Sequence, residues 1–361
     1  MRKIYYLLAI IMSSIQANAQ YMSLSSAGLE QLKVLHKVNP EIQYLIQQQQ
    51  HLADQAMDTL PDPIETISTE GKLKGDPIKI ATQHALKDFR KIYALALIYK
   101  IYGNPAELQK AADYLLAWAK VNHPAGNPIN DTNLDGAIEG YDLIKKNLQT
   151  TDNELIVNWL HQIAEAEINT MPKNQNKETA YNNWNSHRLK IIGEIAFATG
   201  DTSLQSFTII ALKKQLEVNL LPDGTSIDFK LRDALHYHVY DLEPLLKLAI
   251  VIKKATGKDF YNYQTTTHAA IKKSVEWLLP FITGAKKHGE FVHSTVQFDQ
   301  DRAKNGEAGY QAGTLFDPAN GLRTLALAAW FDPGLLTIYH QVKGIKADPE
   351  GWQLMLNSIG D

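Results

Sequence analysis

The sequence predicts an all-α protein built as an (α/α) toroid, an incomplete barrel of about six to seven helical hairpins. Three observations predict it. Apolar residues recur at three- and four-residue spacing through most of the chain, and alternating strand patterns are scarce. The helical stretches are joined by short turns with stop signals: "YGNP" at 102–105, "ATGD" at 198–201 and "ATGK" at 255–258. Unusual polar clusters recur at helix starts; a plain solenoid has no need of them, whereas a ring of helices around a central cleft does.

Taken in order, the first element stands outside the fold. Residues 1–19 carry Arg2 and Lys3, an apolar run from Ile4 to Met12, and Ala17-Asn18-Ala19 before Gln20. This reads as a secretory signal cleaved after Ala19, and it predicts a secreted or periplasmic protein. The run is too short for a permanent membrane anchor. No cysteine follows the cleavage site for a lipoprotein-type anchor, and the chain has none anywhere, which excludes disulfides and thiolate metal sites. The formal charge of −3 argues against a nucleic-acid partner. A local cleft can still be positive, because fields focus in clefts. No linker divides the rest, so 20–361 is read as one domain.

Helices are predicted near 23–56, 76–102 and 105–121, with 61–77 as a long irregular loop of the kind that is often functional. The next, 133–149, opens with Thr132 or Asp131 as its cap and Asn133 in its first turn. Helices near 152–170 and 178–199 follow. The last of these has an apolar face of Leu189, Ile192 and Ala196, yet starts with "NNWNSHR", 182–188. Asn183 and His187 are four apart and share a face; Trp184 and Arg188 form a second such pair. Asparagine is a poor helix former, so the set needs a reason to be there. After a helix at 202–219, Asp223-Gly224 marks a turn and "TSIDF" reads as a short extended piece. Arg232 then precedes a helix over 233–256, which carries His236, Tyr237, His238 and Tyr240 at its start. His236 and His238 point to different sides of it, and no third ligand completes a zinc site. Helices near 265–283, 319–331 and 334–343 finish the chain. The segment 284–318 holds His288, Glu290, His293, Asp299 and Arg302; it either lines a cleft or is a solvated loop.

No serine-nucleophile motif and no recognised phosphate loop is present. The recurring set is Asn, His, Arg and Tyr. It suits removal of the weakly acidic proton next to a carboxylate, as at C5 of a uronic acid. Donors stabilise the enolate-like charge that develops, and a Tyr or His moves the proton. Such a site needs no metal and no cofactor.

The residues in "DGTSIDFKLRDALHYHVYDLEPLLKLA" (223–249) and "YNNWNSHRLKIIG" (181–193) resemble segments of polysaccharide lyase family 5, within the alginate lyase superfamily of helical toroids. Together with "DTNLDGAIEGYDLI" (131–144), the chain looks closer to polysaccharide lyase family 38. The resemblance spans roughly 80–330. It implies Tyr237 as catalytic acid/base and Arg232 as the arginine that engages the uronate. It implies His187 as base or charge neutraliser, and Asn133 or Asn183 as the asparagine neutraliser. Asn183, Trp184, Arg188, His236, Tyr240 and His293 are the candidate substrate-binding residues, with Trp184 either stacking on a sugar ring or filling the core. Two departures stand out. In family 5 the histidine directly follows "NN", where this chain has Trp184. The arginine also lies closer to the tyrosine, with Lys230 nearer the family spacing. The resemblance implies an acidic polysaccharide substrate, alginate first and polymannuronate or glucuronan next, cleaved by β-elimination. Two rivals remain: a glycoside hydrolase using two of Asp135, Glu290 and Asp299, or a glycan-binding protein without chemistry.

Overall fold

The computed structural model describes residues 22–174, 176–344 and 348–359. The predicted signal peptide lies outside them. The chain opens with α1 (Ser26–Leu35) and α2 (Pro40–Met57). The sequence reading runs these together; the structure divides them where Asn39 accepts from the N–H groups of Glu41 and Ile42 and Pro40 fills the first turn. The predicted 76–102 helix likewise breaks at Leu86 into α3 (Pro77–Ala85) and α4 (Lys87–Tyr102). Gly103, at φ 79°, ends α4 in the left-handed conformation that glycine adopts freely.

Next come α5 (Pro105–Val121), the short α6 (Pro128–Asp131), a 3₁₀ turn over Thr132–Leu134, and α7 (Asp135–Ile144). Then α8 (Thr150–Asn169), α9 (Asn183–Thr199) and α10 (Thr202–Asn219) follow. The "TSIDF" stretch is extended only at its start, where Ser226 forms a β-bridge with Leu220; Ser226 then caps α11 (Ile227–Arg232) by accepting from Phe229 N–H. The long α12 (Leu235–Thr256) follows, then α13 (Ile271–Ile282), which starts later than the sequence predicts. The 284–318 segment is not wholly irregular, since it contains α14 (Gln297–Lys304). The chain ends with α15 (Leu322–Ala328), α16 (Leu335–Lys343) and α17 (Gly351–Ser358), the last unforeseen.

Outer and inner helices alternate along the chain: α2 then α4, α5 then α7, α8 then α9, α10 then α12, α13 then α15. The inner helices pack in sequence, α4 on α7, α7 on α9, α9 on α12, α12 on α15. Then α17 packs on both α15 and α2 and brings the end of the chain back to its beginning, with Trp352 Nε1 donating to Tyr93 Oη at 3.2 Å. This is the predicted toroid. One continuous apolar core runs between the two layers. From Ser186 to Ala198 every residue of α9 is buried, so this helix has no solvent face and the charges on it must be paired. Arg188 meets Glu167 at 3.1 Å. Lys190 bonds Asp135, which also takes Lys247 at 2.6 Å; Lys247 reaches Glu139 and Glu194. These charges tie α7, α9 and α12 together, and the starts of α4, α7, α9 and α12 converge on one cleft.

Candidate active site

A cleft of about 380 Å³ opens at these converging helix starts. Its walls take Leu86 from the start of α4, Thr132 and Asn133 from before α7, Asn183 and Trp184 from α9, and His236, Tyr237 and Tyr240 from α12.

Tyr237 sits at the centre, 6% exposed. Its Oη accepts from Arg302 Nη1 at 3.0 Å and lies 3.4 Å from Asp299 Oδ1, to which it can donate. The Arg232 guanidinium lies over its ring, 4.1 Å from the centroid, and bonds Asp299. Arg232 gets there because α11 ends at Asp233, whose φ of 47° turns the chain sharply before α12. The shortened Arg–Tyr spacing thus still brings the guanidinium to the phenol. Lys230 instead points outward to Asp223 at 3.2 Å. Burial pushes the Tyr237 phenol well above the ordinary tyrosine range, against the pull of Arg232 and Arg302.

Asn183 is buried, with its N–H and its Nδ2 both held by Asp228. Asn133 is exposed to the cleft and donates to the Asn130 carbonyl at 2.9 Å. Trp184 is half-buried on the wall. His236 faces the cleft, its Nε2 3.5 Å from Tyr310 Oη, while His238 is buried between Ser226 and Ser274. Burial holds His236 down at about 4, so it is neutral near pH 7.

Three residues stand differently from the sequence reading. His187 lies behind the wall rather than on it: its Nδ1 meets Thr132 Oγ1 at 2.8 Å, its ring packs 4.3 Å from that of Tyr240, and its Nε2 is sealed from solvent without a partner. Burial and Lys190 push it down to about 3, so it carries no positive charge for a substrate. Arg188 does not reach the cleft, because its guanidinium is buried against Glu167. His293 is on the surface, its side chain 83% exposed and bonded to Asp233 at 2.8 Å.

Sequence reasoning left out much of the opposite wall. Thr69, Glu70 and Gly71 come from the 61–77 loop, Lys79 and Gln83 from α3, and Phe298 and Tyr310 from the 284–318 segment, which also brings Arg302, named from the sequence only as part of a segment that either lines a cleft or is solvated. The length of the two loops was the available signal. They meet over the cleft: Lys74 N–H donates to Glu307 at 2.7 Å, and Asn305 Nδ2 donates to the Lys74 carbonyl at 3.1 Å. Tyr237 itself is placed by Glu290, whose two carboxylate oxygens accept the Leu235 and His236 N–H groups at 2.9 Å each and so cap α12 from outside the helix.

The carboxylates that a hydrolase would need are committed elsewhere. Asp135 is held by two lysines, Glu290 caps α12, and Asp299 pairs with Arg232. Among the described residues lining the cleft, Glu70 is the one carboxylate, and nothing faces it as a partner across the space.

Comparison with known proteins fits this geometry. The crystal structure of an alginate lyase from Bacteroides ovatus superposes with a TM-score of 0.70 at 18% identity, covering 95% of this chain and all of that one. Alginate lyase A1-III from Sphingomonas species A1 gives 0.54 at 16% identity, covering 74% of this chain and 79% of that one. An A1-III variant complexed with a tetrasaccharide gives 0.52 at 17%, covering 76% of each. At these identities the likeness is one of fold. No curated protein matches the chain. The family described as alginate lyase matches residues 33–288, most of the length, and by that match the chain belongs to the alginate lyase family of polysaccharide lyases.

Proposed function

We propose that the protein is an exported lyase that cleaves alginate by β-elimination, with Tyr237 moving the proton and needing no metal. The observation that carries this reading is the Tyr237 phenol, buried at the centre of the cleft with one guanidinium over its ring and another at its oxygen. Removing the C5 proton of a uronate puts charge onto its carboxylate, and donors fixed in advance around that position stabilise it. Arg232, Asn133 and Asn183 are the donors proposed for this role. Asn183 brings one spare N–H, since Asp228 occupies its other contacts. Trp184 and Tyr240 offer ring faces to the sugars. Lys79 and Arg302 add positive charge along the cleft, which suits a polyanion on a mildly acidic protein.

His187 supports no direct part in this chemistry, being sealed behind Thr132 and Tyr240. One residue therefore serves as both base and acid. That requires the C5–H and the C4–O bond to lie on the same face of the ring, as they do in mannuronate and glucuronate but not in guluronate, so within alginate the mannuronate blocks are the preferred substrate. Export rests on the signal sequence at 1–19.

The test is the ultraviolet absorbance of the new C4–C5 double bond during incubation with polymannuronate, polyguluronate and glucuronan, with and without chelator. The expected result is chelator-insensitive absorbance, faster on polymannuronate than on polyguluronate, and lowered about 10³-fold in Tyr237→Phe. New reducing ends without absorbance would mean hydrolysis. Binding without cleavage, unchanged in Tyr237→Phe, would mean a glycan-binding protein.

A further inference from the structure

The two groups at the Tyr237 oxygen, Arg302 and Asp299, come from beyond the part of the chain that matches the family. The match ends at residue 288, and Arg302 lies on α14. Arg302 is rigidly placed. Its guanidinium is 4.4 Å from the Phe298 ring centroid and 4.6 Å from that of Tyr310, so it is clamped between two aromatic faces. From there Nη1 donates both to Tyr237 Oη at 3.0 Å and to Tyr310 Oη at 2.9 Å. Burial works against its charge, but Tyr237, Tyr310, Glu307 and Asp299 outweigh burial and keep it protonated.

Arg232 cannot do the same work. It bonds Asp299 and meets the face of the phenol ring, not its oxygen. The other titratable or charged groups facing Tyr237 are Asp299 from α14, Tyr310 from the loop after it, and His236 and Tyr240 from α12 itself. Among all of these, Arg302 is the cation that donates to the reacting oxygen.

We propose that Arg302 is a positioning residue for proton transfer, fixing the Tyr237 oxygen in the cleft and making its phenolate easier to reach than it would be without the guanidinium. This rests on the reading of Tyr237 as the acid–base group. The step balances on that one oxygen. The phenolate takes the proton from C5, and the electrons of the C5–H bond form the C4–C5 double bond. The C4–O4 bond breaks, and O4 takes the proton back from the phenol. Tyr237 ends as it began. A charged donor at Oη favours the phenolate over the phenol throughout. The tyrosine comes from the matched part of the chain, and the group that tunes it comes from the segment that follows.

The experiment is a near-ultraviolet difference titration of the full chain. Subtracting Tyr237→Phe from wild type isolates the ionisation of this one tyrosine, and the same subtraction is made in Arg302→Gln and Arg302→Lys. The expected result is an upward displacement of about one pH unit or more in Arg302→Gln, with part of it restored in Arg302→Lys. On polymannuronate, kcat of Arg302→Gln falls about 10²-fold, and the acid limb of its pH–rate profile moves up with the titration. An unchanged titration in Arg302→Gln overturns the proposal, as does a change confined to KM, which would make Arg302 a substrate contact only. Where Tyr237 ionises above the range in which the protein stays folded, the acid limb of the pH–rate profile carries the comparison, and a limb unmoved in Arg302→Gln overturns the proposal. The titration uses no substrate, so it decides the Arg302 contact even if the wild type yields no unsaturated ends and the lyase reading fails.

Discussion

His187 shows how far one residue's sequence neighbourhood can differ from its surroundings. In sequence it belongs to the most polar stretch of the chain, and the resemblance makes it a base or neutraliser. In space it supports the wall, with Thr132 on its Nδ1 and Tyr240 against its ring. A general base contributes about 10²–10⁴-fold, whereas a wall support acts only through its neighbours. His187→Ala should therefore keep kcat within about tenfold of wild type, far above Tyr237→Phe. Measuring both variants on one polymer checks this, and a His187→Ala loss equal to that of Tyr237→Phe would restore the histidine as base. The position directly after Asn183 tells the same story, since Trp184 brings a ring and no proton-accepting nitrogen to the cleft. Seven of the ten predicted site residues reach the cleft lining: Asn133, Asn183, Trp184, Arg232, His236, Tyr237 and Tyr240. Arg188 could not be placed from sequence, because its partner Glu167 lies on a different helix and helical spacing says nothing about which outer helix packs there.

At the scale of elements, the start of α12 carries the site and lacks a cap of its own. Ala234 occupies its N-cap position without a side-chain acceptor, and Glu290 supplies the missing one. Losing a cap costs about 0.5–2 kcal/mol, and here the freed N–H groups stay buried. Glu290→Ala should lower the urea midpoint by about that energy and reduce kcat as well, because Tyr237 sits in the first turn of the same helix. A midpoint shift with kcat intact would show that Tyr237 is held by other contacts. The inner helices were legible in the sequence through their long apolar faces and crowded polar starts. The two short cleft helices were not. In α11, Ile227 and Phe229 alternate as a strand would, over too few residues for helical periodicity to show. In α14 the sequence "QFDQDRAK" has no apolar stripe, because this helix docks through Phe298, Asp299 and Arg302 on the site itself. The Asn39-Pro40 start of α2 was legible and is simply overridden when apolar spacing alone is followed.

Over the whole molecule, the toroid buries an unusual number of acids in its walls. Burial pushes Asp131 and Asp228 up to about 6, Glu243 to about 7, Glu194 to about 8 and Glu167 to about 9. An acid whose pKa is raised by folding holds its proton in the native state after the unfolded chain has released it. Its contribution is therefore full below the unfolded value and is lost as pH rises through the folded one. Asp135 behaves in the opposite sense. Burial opposes its charge, but Lys190 and Lys247 hold it far below the usual carboxylate range, so its contribution is present above the unfolded value and lost only in strong acid. Unfolding free energy should thus be greater near pH 5 than near pH 9, as urea titrations at the two values would show. Equal stability at both would mean that these acids are hydrated in solution. Catalysis through a Tyr237 phenolate runs the other way, rising with pH.

The meeting of Lys74 with Glu307 joins residues 233 positions apart. Contacts that distant form late, because a long stretch of chain must be closed before they can compensate for its lost freedom. Local helices, by contrast, form in about a microsecond. During refolding from denaturant, helical circular dichroism should return first and turnover last. An enzyme whose cleft is completed by two loops so far apart in the chain is a timer for its own folding: activity reports that the final clasp has closed.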